Sequence, residues 1–224
     1  MSYLEDEKMV ATNYDKAKEY LSLELINTAR NEDLLAKIPH YEVLDMSVVY
    51  MVRFSKKENQ LSSILVTNSM LNNYGITAEQ LKADALENAP KAFPARVDGM
   101  SEVLADSMGM TPEELSGGQP EILYVASVEN RVKGAGVLVY PGFLKEYADR
   151  IGTDLYILPS SIHEVLLVKD EGRFTAQELK DMVVDVNSSI VDPKEQLTDN
   201  AYHYDRSRDL FEFAEDYEKS RAER

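Results

Sequence analysis

The 224-residue sequence contains no cysteine and no tryptophan. Without cysteine the chain cannot form a disulfide, a thiolate metal site or a cysteine nucleophile. No apolar run approaches the roughly 20 residues that a membrane-spanning helix needs. The first ten residues, MSYLEDEKMV, are charged from the fifth onward and do not resemble a signal peptide. These absences predict a cytoplasmic protein with no membrane segment.

Basic residues are also few: 24 Lys and Arg face 40 Asp and Glu, which gives a net charge of −16. A field of this sign repels phosphate backbones and anionic membrane surfaces, so it disfavours a broad interface with duplex nucleic acid. A small basic patch, or an acidic protein that mimics nucleic acid, stays open as an alternative. The simplest interpretation of the charge is solubility.

The remaining composition is that of an ordinary globular protein, with 44% hydrophobic and 29% charged residues. Interleaved helices and hairpins predict an α+β fold with a mixed or antiparallel sheet and packed helices. The glycines and proline of Ser116–Pro120 mark a linker between two possible subdomains. The predicted divisions are an N-terminal extension at 1–20, α+β subdomains at 21–115 and 121–204, and a terminal helix or tail at 205–224.

Alternating apolar residues and turn signals predict the strands. The longest runs from Leu44 to Phe54, where every even position is apolar, and it should have one core face and one mixed face. Lys56–Asn59 is predicted as a turn that leads into a hairpin. The other predicted strands are Leu21–Leu25, Ser62–Val66, Ile122–Ser127, Gly136–Tyr140, Leu155–Leu158 and Ile162–Val168.

Helix starts repeat one pattern, a threonine followed three residues later by Gln or Glu, which is typical of a capping box. It occurs at Thr77, Thr111 and Thr175, and Asp192-Pro193 is a variant. Asn31 is predicted to cap a short helix, and Phe143–Ile151 should be a helix closed by Gly152. Apolar stripes at helical spacing follow Thr175 and lie between Gly99 and Gly109. The charged segment from Asp205 is predicted as a terminal helix packed by Leu210, Phe211 and Phe213.

The densest cluster of reactive side chains follows the break at Pro159, and it consists of Ser160, Ser161, His163 and Glu164. As a hydrolase site it would need the imidazole within reach of a serine and a third group to orient it. On a strand, however, Glu164 would point away from His163, and no G-x-S-x-G elbow is present. The simpler interpretation is that the serines stabilise a turn and that His163 bonds a backbone carbonyl.

A metal site could draw on His163, Glu164, His40 and Asp45, a donor set that suits zinc or iron. Glu164 is followed by valine and leucine, so no H-E-x-x-H motif exists, and the chain has only three histidines. The sequence therefore predicts no metal and no cofactor. Gly134-Ala135-Gly136 lacks the further residues of a phosphate loop and predicts a turn.

Three stretches carry a family resemblance: LELINTARNEDLLAKIPHYEVLDMSVVYMV, ITAEQLKADALENAP and GAGVLVYPGFLKEYADRIGTDLYILPSSIHEVLLV. Together they resemble a bacterial family catalogued only as a domain of unknown function, found in anaerobic gut bacteria and often near mobile elements. The resemblance covers roughly Leu21 to Tyr204 and implies a cytosolic bacterial protein, without implying an activity. A related family shares the pattern at Pro39-His40 and Leu44-Asp45. The family positions map onto Asn27, Arg30, Asn31, Pro39, His40, Asp45, Asn88, Pro159, Ser160, Ser161, His163 and Glu164.

The leading interpretation is a non-enzymatic module that binds a partner protein or a small ligand. Its predicted binding residues are Asn27, His40, Asp45, Ser161, His163 and Glu164. One alternative is a hydrolase that uses His163 with a serine or a bound metal. A second is an acidic mimic of nucleic acid, which would need carboxylates in two rows on one face.

Overall fold

The computed structural model describes residue 10 and residues 12–55, 61–159 and 161–223. The chain divides into two compact units. One comprises the described residues up to Pro94 together with Val139–Pro141, and the other comprises Ala95–Leu138 and the residues from Gly142 onward. The predicted linker Ser116–Pro120 lies inside the second unit.

The first unit is built on a four-stranded antiparallel sheet, in which β3 pairs with β1 along one edge and with β2 and then β4 along the other. Its strands are β1 (Leu21–Asn27), β2 (His40–Val43), β3 (Met46–Ser55) and β4 (Leu61–Leu65). Its helices are α1 (Tyr14–Ala17), α2 (Glu32–Leu35), α3 (Asn68–Tyr74) and α4 (Ala78–Ala92), with 3₁₀ turns at Lys18–Tyr20 and Ala29–Asn31.

The central strand β3 is buried on both faces, from Met46 to Phe54, rather than on one. Its polar residue Arg53 is accommodated because its Nη2 donates to Glu24 Oε1 on β1 at 2.9 Å. The Arg53 guanidinium also lies 5.4 Å from the ring centroid of Phe93. A buried charge of this kind is tolerated only when it is paired.

The predicted continuous strand from Leu44 is wrong at its start. Leu44 has a φ of +57° and forms a two-residue turn with Asp45 that joins β2 to β3, with Val43 paired to Met46. The helix after Asn31 exists, but the Asn31 side chain donates to the Asn27 carbonyl at 2.7 Å instead of capping it. The predicted turn Lys56–Asn59 lies outside the described residues.

The second unit contains a six-stranded antiparallel sheet in the order β10-β9-β7-β8-β6-β5. Its strands are β5 (Ala95–Gly99), β6 (Leu123–Val128), β7 (Leu155–Leu158), β8 (Val165–Lys169), β9 (Tyr202–Asp205) and β10 (Leu210–Phe213). Its helices are α5 (Met100–Met108), α6 (Pro112–Ser116), α7 (Phe143–Ile151), α8 (Ala176–Ser189) and α9 (Ala214–Ala222). Helix α8 packs on this sheet through Leu179 and Val183, in a core that includes Tyr156, Leu158 and Val168.

The two sheets confirm the predicted α+β fold, and the strands predicted at residues 21–25, 62–66, 122–127 and 155–158 are present. Three other predictions are wrong. Residues Ala135–Val139 form a buried 3₁₀ helix instead of a strand, and Leu210–Phe213 is a strand of the terminal hairpin β9–β10 instead of a helix. The segment at Asp192 is a turn in which the Asp192 carboxylate accepts from the Lys194 amide at 2.9 Å.

Candidate functional site

The loop between β7 and β8 contains the predicted polar cluster, but it is not the continuation of a strand. Strand β8 begins only at Val165, and Ser161 forms an isolated bridge with Gln196. The Ser161 hydroxyl accepts from the His163 amide at 2.9 Å, and the Ile162 amide donates to the Glu195 carbonyl at 2.8 Å. Ser161 therefore stabilises a turn. Ser160 lies outside the described residues.

The imidazole of His163 uses both of its nitrogens within the fold. Nδ1 accepts from the Lys133 backbone amide at 3.1 Å, so the neutral ring carries its proton on Nε2. Nε2 lies 3.2 Å from Glu195 Oε1. The expectation that His163 bonds a backbone carbonyl is wrong in its details, because the ring accepts from an amide and faces a carboxylate from another loop. A general base needs one nitrogen directed at its substrate, and here both are engaged.

The carboxylate that reaches His163 is Glu195, and it was missed because the Asp192-Pro193 segment was interpreted as a helix start. Glu164 is half-buried next to His163 in the chain, and the Nε2 contact is made by Glu195 instead. Among the described residues, no group of three or more His, Asp or Glu side chains is arranged to hold a metal ion.

A glycine fixes the loop that faces His163. The Gly134 amide and the Ser127 hydroxyl both donate to the His163 carbonyl, at 2.9 and 2.7 Å. A Cβ at Gly134 would lie 2.2 Å from Ser127 Oγ and 2.5 Å from the Val128 nitrogen. The Gly-Ala-Gly sequence is thus a site of close backbone approach, which is one of the roles of glycine.

The predicted residues of the first unit are divided between the two ends of β2. Asn27 pairs with Met46, and the Thr28 amide donates to the Asp45 carbonyl at 3.3 Å, so Asn27 and Asp45 lie at one end. His40 is at the other end, paired with Val49, and its Nδ1 lies 3.1 Å from the Ile38 carbonyl. The structure therefore brings Asn27 and Asp45 together and leaves His40 apart from them.

The second unit contains an apolar cavity of about 290 Å³, which the sequence did not indicate. It lies between α8 and strands β6, β7 and β8, and the loop that carries His163 connects two of its lining residues, Leu158 and Leu166. All ten lining residues are hydrophobic: Ile122, Leu123, Leu158, Leu166, Val168, Phe174, Leu179, Met182, Val183 and Val186.

The cavity has a buried floor and an exposed lip. Leu158, Val168, Leu179 and Val183 are buried, whereas Met182 is 43% exposed on the outer side of α8. The remaining walls are half-buried. Methionine adapts its shape to different partners, so a methionine lip suits a binding surface.

Two carboxylates flank Met182, the exposed lip of the cavity, on helix α8. Glu178 and Asp185 stand at positions i−4 and i+3 from Met182, so they are its neighbours on the helix surface. Glu178 accepts from the Thr175 amide at 2.8 Å and from the Thr175 hydroxyl at 2.9 Å. These two hydrogen bonds hold the pKa of the Glu178 carboxyl below its usual value, which keeps the carboxyl charged. In the described part of the chain, Asp185 forms no side-chain ion pair. On the side formed by α8, the mouth of the cavity is therefore apolar with an acidic border.

The model of a family of unknown function, DUF5688, matches residues 3–206. The chain belongs to the DUF5688 family. The match spans the apolar cavity and the His163 loop, and it confirms the resemblance to an uncharacterised family seen in the sequence. Comparison with curated proteins and with solved structures found no match. Membership in the DUF5688 family therefore assigns no activity. Among the described residues, no helix combines the length and the apolar character needed to span a membrane.

Proposed function

We propose that this DUF5688 protein is a non-enzymatic binding module whose second unit holds an apolar anchor of a partner protein in the cavity beside α8. The observation that carries the proposal is the cavity itself: ten hydrophobic side chains surround about 290 Å³ of open space. Soluble proteins seldom leave such an apolar recess open without a use for it.

The size of the cavity indicates how much of a partner enters it. About 290 Å³ lies just below the range for drug-sized ligands, roughly 300–1,000 Å³. One or two large side chains, such as leucine or phenylalanine, would fill this space. Such an insertion corresponds to the buried anchor residues that dominate many protein interfaces.

The charge around the cavity indicates the rest of the partner. Glu178 and Asp185 border Met182, and the whole chain has a net charge of −16. Basic residues beside the anchor would meet complementary carboxylates, which favours association and suppresses acidic competitors. The proposed partner segment is therefore an amphipathic helix with an apolar face and flanking lysine or arginine.

The hydrolase alternative receives no support from the geometry of His163, whose nitrogens face Lys133 and Glu195. The acidic-mimic alternative stays a prediction. Neither alternative accounts for an open apolar cavity, whereas a binding module does.

A fluorescence anisotropy titration with two labelled peptides tests the proposal. Both peptides form an amphipathic helix with leucine on one face, and they differ only in carrying lysine or glutamate on the other. We expect saturable binding of the lysine peptide and at least tenfold weaker binding of the glutamate peptide, because like charges at the lip repel.

Helix α8 offers a matched pair of variants for this experiment. Met182→Lys places a charge at the lip and should weaken binding of the lysine peptide at least about tenfold. Val184→Lys makes a comparable change on the same helix, at a side chain that is 41% exposed and does not line the cavity, and it should bind like the wild type. Failure of the lysine peptide to bind, or equal losses in both variants, would refute the proposal.

A further inference from the structure

A second cavity in the same unit, of about 470 Å³, has charged, polar, aromatic and apolar residues in its lining. It shares no lining residue with the apolar cavity. Strand β5, the start of α5, the end of α7 and the last residue of β8 surround it. Its lining residues are Val97, Gly99, Ser101, Glu102, Pro112, Glu121, Tyr124, Tyr147, Arg150, Ile151 and Lys169.

The carboxylates of this cavity are satisfied by the protein. Glu121 Oε2 accepts from the Ser101 hydroxyl at 2.6 Å and from its amide at 3.0 Å, while Oε1 accepts from the amides of Ile122 and Leu123. Burial raises the pKa of Glu121, but these hydrogen bonds outweigh it and hold the pKa below its usual value. Glu102 accepts from the Gly99 amide at 3.1 Å. Both carboxylates thus accept hydrogen bonds from the backbone and from Ser101, and within the described ranges neither forms an ion pair with the cations nearby.

The two cations of the cavity each lie against a tyrosine. The Arg150 guanidinium carbon is 5.9 Å from the ring centroid of Tyr147, and Lys169 Nζ is 5.8 Å from that of Tyr124. In the part of the chain that the structure describes, neither cation forms an ion pair with a carboxylate. This is notable in a chain where 40 acidic residues compete for 24 basic ones.

We infer that this cavity binds a small molecule that carries a phosphate monoester and a flat ring, the chemical class of a mononucleotide. Arg150 and Lys169 together supply two positive charges, and among the described residues neither is held in an ion pair; they match a phosphate monoester, which carries a charge of about −1.5 to −2 at neutral pH. The guanidinium of Arg150 can donate two parallel hydrogen bonds to phosphate oxygens.

The tyrosines supply the second half of the recognition. Tyr124 and Tyr147 both line the cavity. The faces of aromatic side chains stack on any of the nucleobases. A volume of about 470 Å³ lies within the usual range for small-molecule sites, roughly 300–1,000 Å³. The overall charge of −16 repels long nucleic acids, so a single nucleotide is the form that the site can accept.

Isothermal titration calorimetry of the full chain with adenosine monophosphate tests the inference, with adenosine and inorganic phosphate as the two halves of the ligand. We expect saturable binding of the nucleotide and at least tenfold weaker binding of each half. Binding of adenosine as tight as that of the nucleotide would overturn the assigned role of the cations, and absence of nucleotide binding would overturn the site.

Variants of the two cations that line the cavity test whether the nucleotide binds there. Arg150→Ala and Lys169→Ala should each weaken nucleotide binding about tenfold or more, the loss expected for a charge-assisted hydrogen bond. Lys145→Ala is the matched control, because Lys145 lies on the same helix as Arg150, pairs with Asp149 and does not line the cavity. A similar loss in all three variants would show a non-specific charge effect and would contradict the assignment. Peptide binding at the apolar cavity is a separate measurement on separate residues, so either proposal can fail alone.

Discussion

At the scale of single residues, the loop around His163 shows what one sequence can and cannot predict. The serine-rich break after Pro159 correctly indicated a turn, because Ser161 accepts from the amide two residues later. The partners of the imidazole could not be predicted, because Lys133 and Glu195 come from loops distant in sequence. The apolar cavity was missed for the same reason. In the sequence its residues have the pattern of ordinary core positions, and only the folded structure brings the strands beside α8.

Gly134 is the residue whose replacement should cost most in this loop. In Gly134→Ala, the new methyl group would collide with Ser127 Oγ and with the backbone nitrogen of Val128, which cannot rotate away. We expect a loss of roughly 1–3 kcal/mol in the free energy of unfolding, as for other overpacked sites. Urea denaturation followed by circular dichroism measures it.

Gly99→Ala is the control for that substitution. A Cβ there would meet Oε2 of the Glu121 side chain at 2.9 Å, and its two further contacts at 3.2 and 3.4 Å are to the same side chain, which is a milder collision than those of 2.2 and 2.5 Å at Gly134. Gly99→Ala should therefore cost less than Gly134→Ala. The reverse order would contradict the close approach at Gly134.

At the scale of secondary-structure elements, local chemistry predicted the helix starts better than periodicity predicted the strands. The capping boxes at Thr111 and Thr175 are complete, since each threonine accepts from the amide three residues later and the glutamate returns a bond. The terminal hairpin and the turn at Leu44 were missed because tertiary pairing overrides weak local signals. Tyr202–Asp205 forms a strand because it pairs with β7, about 45 residues away, which a local pattern does not reveal.

The caps at Thr175 and Thr77 differ in a way that can be measured. Glu178 accepts from the amide and hydroxyl of Thr175, whereas the Gln80 side chain donates to Asp84 instead of returning to Thr77. Thr175→Ala should cost about 1 kcal/mol of stability, the usual value for a lost cap.

Double-mutant cycles separate the complete box from the incomplete one. A cycle of Thr175→Ala with Glu178→Ala should show a favourable coupling, and one of Thr77→Ala with Gln80→Ala should show none. Thermal unfolding of the four single and two double variants provides the comparison. Absence of coupling in the pair Thr175 and Glu178 would mean that the glutamate bonds do not contribute to α8.

At the scale of the whole molecule, the net charge of −16 sets the response to pH and salt. Like charges repel across the folded chain at neutral pH, and added salt screens this repulsion. Specific carboxylates act in the opposite sense, because their native partners favour the charged form. Asp170 is the clearest case: His203 Nε2 lies 3.4 Å from its Oδ2, and the Gly172 amide donates to its Oδ1 at 3.1 Å.

These partners make Asp170 a source of stability that depends on pH. His203 and Gly172 hold the pKa of the Asp170 carboxyl below its usual value, against burial, which raises it. A carboxyl whose pKa is lower in the folded state stabilises the fold above its unfolded pKa of about 3.9, and loses that contribution as pH falls through the folded pKa. Asp170→Asn should therefore lower the free energy of unfolding by roughly 1–3 kcal/mol at pH 7.

The difference between wild type and Asp170→Asn should stay constant from pH 7 to about pH 5 and shrink below about pH 4, as measured by urea denaturation at each pH. Asp185→Asn is the control, because this carboxylate is exposed and its change should have little effect at any pH. Salt distinguishes the two electrostatic effects, since it should weaken the general repulsion far more than the contact of Asp170 with buried His203. A difference that persists unchanged to pH 3 would show that Asp170 is not held in its charged form by the fold.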